Sequence, residues 1–215
     1  MINILGNHNS IFNQFILELR DTTIQKDSMR FRRNIERIGE IMAYELSKKM
    51  DYVPRVTTTP LGEVTIPVIA EQPVIASILR AGLPLHIGVL NYFDSAQNAF
   101  ISAYRKHHKD HTFEIHVEYM SSPSLEGKTL LLCDPMLATG QSMVLAYQAM
   151  LRNGVPKQLH VASIIASAEG LSYVRQHLPA NTQYWLGAVD EELTTQSYIV
   201  PGLGDAGDLA YGSKL

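Results

Sequence analysis

Short, almost wholly apolar segments alternate with helical patterns through most of the sequence, and this alternation constrains the fold more than any other feature. Strands that are apolar on both faces need cover on both sides, which favours a mostly parallel sheet flanked by helices. In such sheets ligands bind at the carboxyl ends of the strands. The predicted strands are 73–79, 99–104, 114–120, 129–133, 159–165 and 183–188, and the helices between them are 82–93, 140–152 and 169–177.

Two helices and a hairpin are predicted before this alternation begins. Residues 11–20 and 28–49 repeat apolar side chains at spacings of three and four, which is typical of amphipathic helices. Residues 53–59 and 63–69 are strand-like and are separated by a Pro-Leu-Gly turn, which predicts a β-hairpin. We therefore expect a helical flank at about residues 1–50, docked on the later sheet.

Composition excludes several classes of function. The formal net charge is −3 and the isoelectric point is near 6.2, without the basic excess of a generic nucleic-acid binder. The single cysteine, Cys133, allows no internal disulfide, which suits a reducing cytosol. No signal-peptide pattern opens the sequence, and no apolar run approaches the roughly 20 residues that span a bilayer. A cytoplasmic protein that acts on neither nucleic acid nor membrane is expected.

The turn that follows the predicted strand 129–133 carries the first candidate site. We call residues 134–142 the Asp134 turn. Small and hydroxyl-bearing residues between a strand and a helix suit a phosphate site, because N–H groups at a helix start attract anions. Thr139 and Ser142 can donate hydroxyl bonds, and Asp134 can accept bonds from sugar hydroxyls. No lysine follows the glycine, so this is not a Walker loop. The alternative is a helix cap after an ordinary strand end.

A second candidate turn follows the predicted strand 73–79. We call residues 79–82 the Arg80 turn; it contains Arg80 and Gly82. The planar guanidinium of an arginine at a strand tip can bind a phosphate through two bonds, and glycine allows close backbone approach. Taken alone, the segment is better explained by an ordinary surface arginine and a helix-start glycine. Its occurrence together with the Asp134 turn favours a phosphate site.

At this point the sequence resembles the type I phosphoribosyltransferases, and in particular the uracil phosphoribosyltransferases. The Asp134 turn resembles their motif for phosphoribosyl pyrophosphate (PRPP), in the form with one acidic residue where most of the superfamily has two. Three further blocks carry the likeness, which runs from about residue 30 to residue 212. They are Arg30–Arg32, Ile78–Leu83 and Tyr198–Asp208.

The resemblance implies transfer of a phosphoribosyl group from PRPP to uracil, which gives UMP and pyrophosphate. Asp134, Arg80 and Asp205 would then be catalytic, with Mg²⁺ bound mainly through PRPP or pyrophosphate. Arg80 and Arg105 would hold the pyrophosphate, on which negative charge builds as its bond to the sugar breaks. The remaining PRPP contacts would be Pro135, Met136, Leu137, Ala138, Thr139, Gly140, Gln141 and Ser142.

A glycine-rich segment lies near the C-terminus. Residues 202–207 match G-x-G-x-x-G, but too few residues follow to build the βαβ unit of a dinucleotide site. A fixed irregular backbone can instead present N–H and C=O groups to a flat base, and each mismatch with cytosine would cost about 1–3 kcal/mol. The alternative is a tail without a ligand. The resemblance assigns the uracil contacts to Ile199, Gly204, Asp205 and Ala206. We expect one domain over residues 1–215, with a base-binding hood at about 190–215.

Histidines crowd the segment after Arg105, where His107, His108 and His111 lie close together. One interpretation is a metal cluster, although the run is too dense to wrap a tetrahedral ion. The interpretation we favour is a solvated loop, which in relatives closes over PRPP as a lid.

Several positions depart from the family pattern, and two departures lie in or beside the candidate phosphate site. Gln141 stands where relatives usually have glycine, so it either carries backbone strain or adds an amide donor to the phosphate site. Ser167-Ala168-Glu169-Gly170 stands where relatives commonly have Ala-Pro-Glu-Gly, and this change is expected to alter only the entry to the helix that follows.

Two rival functions remain at this point: a phosphoribosyltransferase for another base, and a nucleotide sensor without activity on the same fold. Retention of Arg80, Asp134 and Asp205 together argues against the sensor. The resemblance implies a homodimer or homotetramer. GTP activates some relatives, and the sequence leaves open whether it is an effector here.

Overall fold

The computed structural model describes residues 1–107 and 113–213, with backbone alone at 103–107 and 113–117. Its strands are β1 (Ile2–Ile4), β2 (Tyr52–Thr59), β3 (Gly62–Ile69), β4 (Val74–Leu79), β5 (Gln97–His107), β6 (Phe113–Ser121), β7 (Thr129–Cys133), β8 (Met136–Leu137), β9 (Gln158–Ser167), β10 (Gln183–Asp190), β11 (Glu192–Leu193) and β12 (Ile199–Val200). Its helices are α1 (Ile11–Arg20), α2 (Ser28–Ser47), α3 (Gly82–Leu90), α4 (Gln141–Met150), α5 (Ala168–His177) and α6 (Ala206–Tyr211).

A central sheet organises the molecule in the order β1-β10-β9-β7-β4-β5-β6, with β8 paired beside β9. Neighbouring strands are parallel except for the antiparallel pair β5–β6. Every residue of β7 is buried, as a strand covered on both faces requires. The predicted fold class, a mostly parallel sheet flanked by helices, is confirmed.

Hydrophobic side chains form two cores, one on each face of the sheet. The first core contains Phe31 and Ile35 of α2 and Leu85 of α3. The second contains Met143 of α4 and Val174 of α5. The N-terminal helices therefore share one face with α3, while α4 and α5 cover the other.

The two candidate turns lie where the connections change faces. β4 and β7 are parallel neighbours, with Ser77 opposite Cys133. The chain leaves β4 into α3 on the first face and leaves β7 into α4 on the second. Turns that diverge in this way open a crevice at the carboxyl edge of a sheet, which is where ligands bind in α/β folds.

The predicted hairpin is confirmed, and we call residues 52–69 the arm. Its strands β2 and β3 pair antiparallel from Tyr52 opposite Ile69 to Thr59 opposite Gly62. Both strands are exposed along nearly their whole length, although several of their side chains are apolar. Leu61 at the tip is 100% exposed and Val56 is 65% exposed.

Several elements differ from the predictions because distant pairing overrides local pattern. β5 extends to His107 through its ladder with β6, so Arg105 and His107 lie within a strand and do not follow one. The short strands β1, β8, β11 and β12 were not predicted, nor was α6. None of the helices within residues 1–107 and 113–213 is long and apolar enough to cross a membrane.

Candidate active site

The Asp134 turn is fixed to β9 through its main chain. The Asp134 N–H donates to Ala162 O at 3.1 Å, and Pro135 O accepts from Ile164 N and Ile165 N, each at 3.0 Å. The Asp134 carboxylate folds back and accepts from Met136 N at 3.1 Å. The aspartate is thus held at the strand tip by its neighbours.

The turn then passes into α4 through a left-handed glycine. Residues 136–137 pair as β8 with Ile165 and Ala166 of β9. Gly140 has φ of 78°, and α4 begins at the next residue, Gln141. The N–H groups in the first turn of a helix have no intrahelical acceptors, so those of α4 are candidate anion donors.

The same glycine settles the question of strain at Gln141. Ser197 is the one non-glycine residue with positive φ in the described ranges, so Gln141 is not left-handed. The strain interpretation of Gln141 is therefore wrong, because Gly140 takes the left-handed conformation instead. The alternative, that the Gln141 amide adds a phosphate donor, stays a prediction.

The start of α5 packs against the Asp134 turn. The buried Ser167 hydroxyl donates to Ala138 O at 2.6 Å and accepts from Gly170 N at 2.8 Å. A Cβ added at Gly170 would overlap Ala138 O. The expectation that Ser167 alters only helix entry is wrong, since its hydroxyl also binds the turn.

The Arg80 turn lies directly against the end of β7. A Cβ at Gly82 would lie 2.7 Å from Cys133 O and 2.8 Å from Ser77 Oγ, so glycine is required for this approach. The peptide bond between Leu79 and Arg80 is cis. The Arg80 turn therefore packs against the last residue of β7, immediately before the Asp134 turn begins.

Arg80 joins these turns to the C-terminal hood. Its Nη2 donates to Asp208 Oδ1 at 2.9 Å, and its Nη1 donates to Gly212 O at 3.2 Å. A Cβ at Gly207 would lie 3.1 Å from Asp205 Oδ1 and 3.6 Å from Arg80 Nη2. Helix α6 thus lies beside the Arg80 turn, with the Asp208 carboxylate bonded to the Arg80 guanidinium and with Asp205 Oδ1 close to Gly207. The convergence of all three predicted segments, including the Asp134 turn, on one crevice stays a prediction.

The sequence had not singled out Asp208, although a signal was present. The Asp208 N–H donates to Asp205 Oδ1 at 3.0 Å, which caps α6 at its N-terminus. An aspartate three residues before a second acid is a common helix start, but a six-residue helix is too short for periodicity to reveal it.

A second arginine closes the other end of α6. Arg32 of α2 donates to Ala210 O at 2.6 Å, and its guanidinium lies 5.8 Å from the centre of the Tyr211 ring. Carbonyls at a helix C-terminus have no intrahelical donors, so Arg32 satisfies one of them. Arg32 belongs to one of the blocks that resemble the family, and the structure assigns it to hood support.

Cys133 is a core thiol. It is 0% exposed, and burial, followed by the nearby Asp134 carboxylate, raises its pKa far above the ordinary thiol range. A thiol in this state is not a nucleophile at neutral pH.

Two predictions concern residues whose side chains are not described. Arg105 lies in β5 with its backbone opposite Ile115, and its role as a pyrophosphate contact stays a prediction. Residues 108–112, which include His108 and His111, lie outside the described ranges, and with them the proposed lid and metal cluster.

Comparison with solved structures defines the class of the fold. The orotate phosphoribosyltransferase of Mycobacterium tuberculosis H37Rv, solved in complex with PRPP, superposes with a TM-score of 0.51 at 14% identity, covering 87% of this chain and 95% of that one. The AQ2163 protein from Aquifex aeolicus superposes with a TM-score of 0.87 at 29% identity, covering 99% of this chain and 98% of that one. The fold is that of the type I phosphoribosyltransferases.

Sequence comparison narrows the class to a family. Residues 8–213 match the uracil phosphoribosyltransferase family model, and the chain belongs to that family. A uracil phosphoribosyltransferase of Porphyromonas gingivalis is 57% identical over 211 residues, 98% of each chain. One from Thermococcus gammatolerans is 35% identical over 205 residues, 94% of this chain and 89% of that protein.

Proposed function

We propose that this chain transfers the 5-phosphoribosyl group of PRPP to uracil, forming UMP and releasing pyrophosphate. The observation that carries the proposal is the position of Arg80: it follows β4, it bonds Asp208 of the hood, and its turn packs against the end of β7, where the Asp134 turn begins. Family membership supports the same reaction.

In this proposal the Asp134 turn binds the sugar phosphate. The N–H groups at the start of α4 and the hydroxyls of Thr139 and Ser142 donate to the 5′-phosphate. The Asp134 carboxylate accepts from the ribose hydroxyls and holds the anomeric carbon at a fixed place in the crevice. Such positioning supplies much of the rate, because the reacting groups no longer have to find one another.

Arg80 binds the pyrophosphate group. Its guanidinium already binds the Asp208 carboxylate, so it can exchange that bond for one to a more highly charged phosphate. With Arg105 it would stabilise the charge that builds on the departing oxygen as the sugar acquires oxocarbenium character. No covalent intermediate with the protein is required.

The residues around Arg80 fit a magnesium ion that arrives with the substrate. Carboxylate and phosphate oxygens are the ligands that Mg²⁺ prefers, and Asp205 supplies a carboxylate beside Arg80. When bound, Mg²⁺ would neutralise part of the pyrophosphate charge.

The hood would recognise uracil through main-chain groups. Ile199 and Ala206 are buried at 5% and 2% exposure, while Gly204 is exposed with φ of 94°. Ile199 and Ala206 are held in the core, whereas the main chain at Gly204 is exposed to solvent. The N–H and C=O groups of this segment can therefore reach the edge of a planar base. Uracil presents two carbonyl acceptors and the N3–H donor, and cytosine presents a different order of groups.

Product formation tests the function directly. Purified protein with PRPP and Mg²⁺ should convert uracil to UMP and pyrophosphate, and should leave cytosine, orotate and hypoxanthine largely unused. Failure to form UMP would overturn the proposal, and faster turnover of hypoxanthine than of uracil would assign the chain to another base. Parallel assays with and without GTP test whether GTP is an effector.

We further propose that the arm mediates assembly of a homodimer or homotetramer in the cytoplasm. Val56, Leu61 and Ile66 are exposed on a hairpin that forms its own two-stranded sheet. Exposed apolar strands of this kind commonly pair with another chain. Light scattering should show an oligomer for the wild type and a smaller species for Val56→Asp with Ile66→Asp. Glu63→Gln, on the same arm, is the control and should leave the mass unchanged.

A further inference from the structure

An ion pair marks the point where β10 ends and the hood begins. Arg20, the last residue of α1, donates from Nη1 to Asp190 Oδ2 at 2.7 Å and from Nη2 to Asp190 Oδ1 at 2.8 Å. The Asp190 side chain is 8% exposed and that of Arg20 is 23% exposed. Two parallel bonds fix the relative orientation of the two groups as well as their distance.

Both partners of this pair also bind the main chain of Gly202. Arg20 Nη1 donates to Gly202 O at 3.0 Å, and Gly202 N donates to Asp190 Oδ2 at 2.9 Å. The donor and the acceptor of one hood residue are thus both held by side chains, and that residue cannot move without breaking charge-assisted bonds.

Gly202 in turn sets the position of Ile199, which is predicted to contact uracil. Gly202 is left-handed with φ of 56°, and a Cβ added there would overlap Ile199 O. The segment from Ile199 to Gly202 therefore closes tightly on itself. A displacement of Gly202 would carry the Ile199 main chain with it.

The electrostatics favour a role in geometry over one in stability. Burial opposes ionisation of Asp190, but the bonds from Arg20 and from the Gly202 N–H outweigh it, so the pKa of Asp190 lies below its usual range. Burying such a pair costs desolvation energy that its attraction only partly offsets, and its best-attested benefit is a defined arrangement.

We propose that Arg20 and Asp190 are positioning residues that set the affinity and selectivity for the base through Gly202, without contact with the substrates. The proposal rests on the function proposed above. It predicts that loosening the pair impairs the use of uracil and leaves the use of PRPP nearly unchanged, because the Asp134 and Arg80 turns are held by other contacts.

The test is a kinetic comparison of Arg20→Met, Arg20→Lys and Asp190→Asn. We expect Arg20→Met to raise the KM for uracil by about tenfold, with the KM for PRPP within about twofold of wild type. The preference for uracil over cytosine should fall as well. Arg20→Lys should recover part of the loss, since it keeps the charge but lacks the planar pair of donors.

Arg30→Met provides a matched control on stability. Arg30 makes a bidentate pair with Glu18 of α1, with bonds of 2.8 and 2.9 Å, but neither residue contacts Gly202 in the structure. We expect this variant to melt earlier and to keep the wild-type KM for uracil. If Arg20→Met folds poorly, Arg20→Lys and Asp190→Asn still decide the question.

Two outcomes would overturn the inference: an unchanged uracil KM in all three Arg20 and Asp190 variants, or an equal rise in Arg30→Met. The wild-type protein separates this failure from that of the proposed function. If the wild type makes UMP and the variants keep its KM for uracil, the positioning role alone is refuted. If the wild type makes no UMP, the proposed function is refuted.

Discussion

The Asp134 turn and the hood are both proposed to bind substrate, but they are held in place by different means. The turn is fixed by main-chain bonds to β9 and by close packing against Gly170. The hood contains two two-residue strands and a six-residue helix, and arginines from distant parts of the chain donate to it. These arginines are Arg20, Arg32 and Arg80.

The difference teaches how each region should respond to substitution. A turn held by its backbone tolerates changes of side chain but not added volume where two backbones meet. A segment held by guanidinium groups tolerates small changes of volume. It does not tolerate the loss of an arginine whose planar guanidinium makes several hydrogen bonds at once. Substitutions in each region test this difference.

The largest effect is expected at Gly170, beneath the Asp134 turn. Gly170→Ala places a methyl group against Ala138 O, and a main-chain atom can yield only if the turn moves. We expect kcat/KM for PRPP to fall by about 100-fold, since a displacement near 1 Å can cost that much. Ser172→Ala, on the exposed side of the same helix, is the control. Wild-type kinetics in Gly170→Ala would show that the turn is not held by this packing.

A smaller loss is expected for Arg80→Lys, which tests the arginine that bonds the hood and is proposed to bind pyrophosphate. Lysine keeps the charge but cannot bond Asp208, Gly212 O and a phosphate with one planar group. We expect kcat/KM for PRPP to fall by about tenfold. Steady-state kinetics with PRPP varied measures it, and a change below about twofold would assign Arg80 a purely electrostatic role.

Substitutions of Arg32 and of its neighbour Arg33 form a matched pair that tests whether Arg32 stabilises the hood. Arg32 donates to Ala210 O, whereas Arg33 pairs with glutamates of its own helix at the surface. Arg32→Met should lower the free energy of unfolding by about 1.5–3 kcal/mol and raise the uracil KM about threefold. Arg33→Met should cost less than about 0.5 kcal/mol. Chemical denaturation and uracil kinetics compare them, and equal effects would contradict support of the hood by Arg32.

The smallest effect is expected for Gln141→Gly. Because Gln141 begins α4 without positive φ, glycine relieves no strain there. Glycine removes the predicted amide donor to the phosphate, so we expect the KM for PRPP to rise by about twofold and the stability to fall by at most about 1 kcal/mol. A clear improvement in PRPP binding would show that the glutamine obstructs the site.

The sequence predicts the turns better than the hood because the turns are local. The end of an apolar strand, an aspartate and a helix start are adjacent along the chain, so the Asp134 turn is readable from consecutive residues. The partners that hold the hood are far apart: Arg20 and Asp190 are separated by 170 positions, and Arg32 and Ala210 by 178. Such pairings depend on the completed fold and leave no periodic or motif signal.

The same reasoning explains the errors within the sheet. β5 was predicted to end at Tyr104, but antiparallel pairing with β6 carries it to His107 through polar residues. Ser167 was expected to act only on helix entry, since its contact with Ala138 lies 29 positions away. In each case a long-range hydrogen bond adds structure where the local pattern predicts a loop or a simple cap.

The burial of Cys133 gives the protein a practical property. It is the single cysteine of the sequence, and its thiol is buried at the end of the central strand β7, where burial raises its pKa. Maleimide reagents attack accessible thiolates, so the native chain should remain unlabelled in its folded state. A fluorophore attached after Leu61→Cys would therefore report on the arm alone, without any need to remove a native cysteine first.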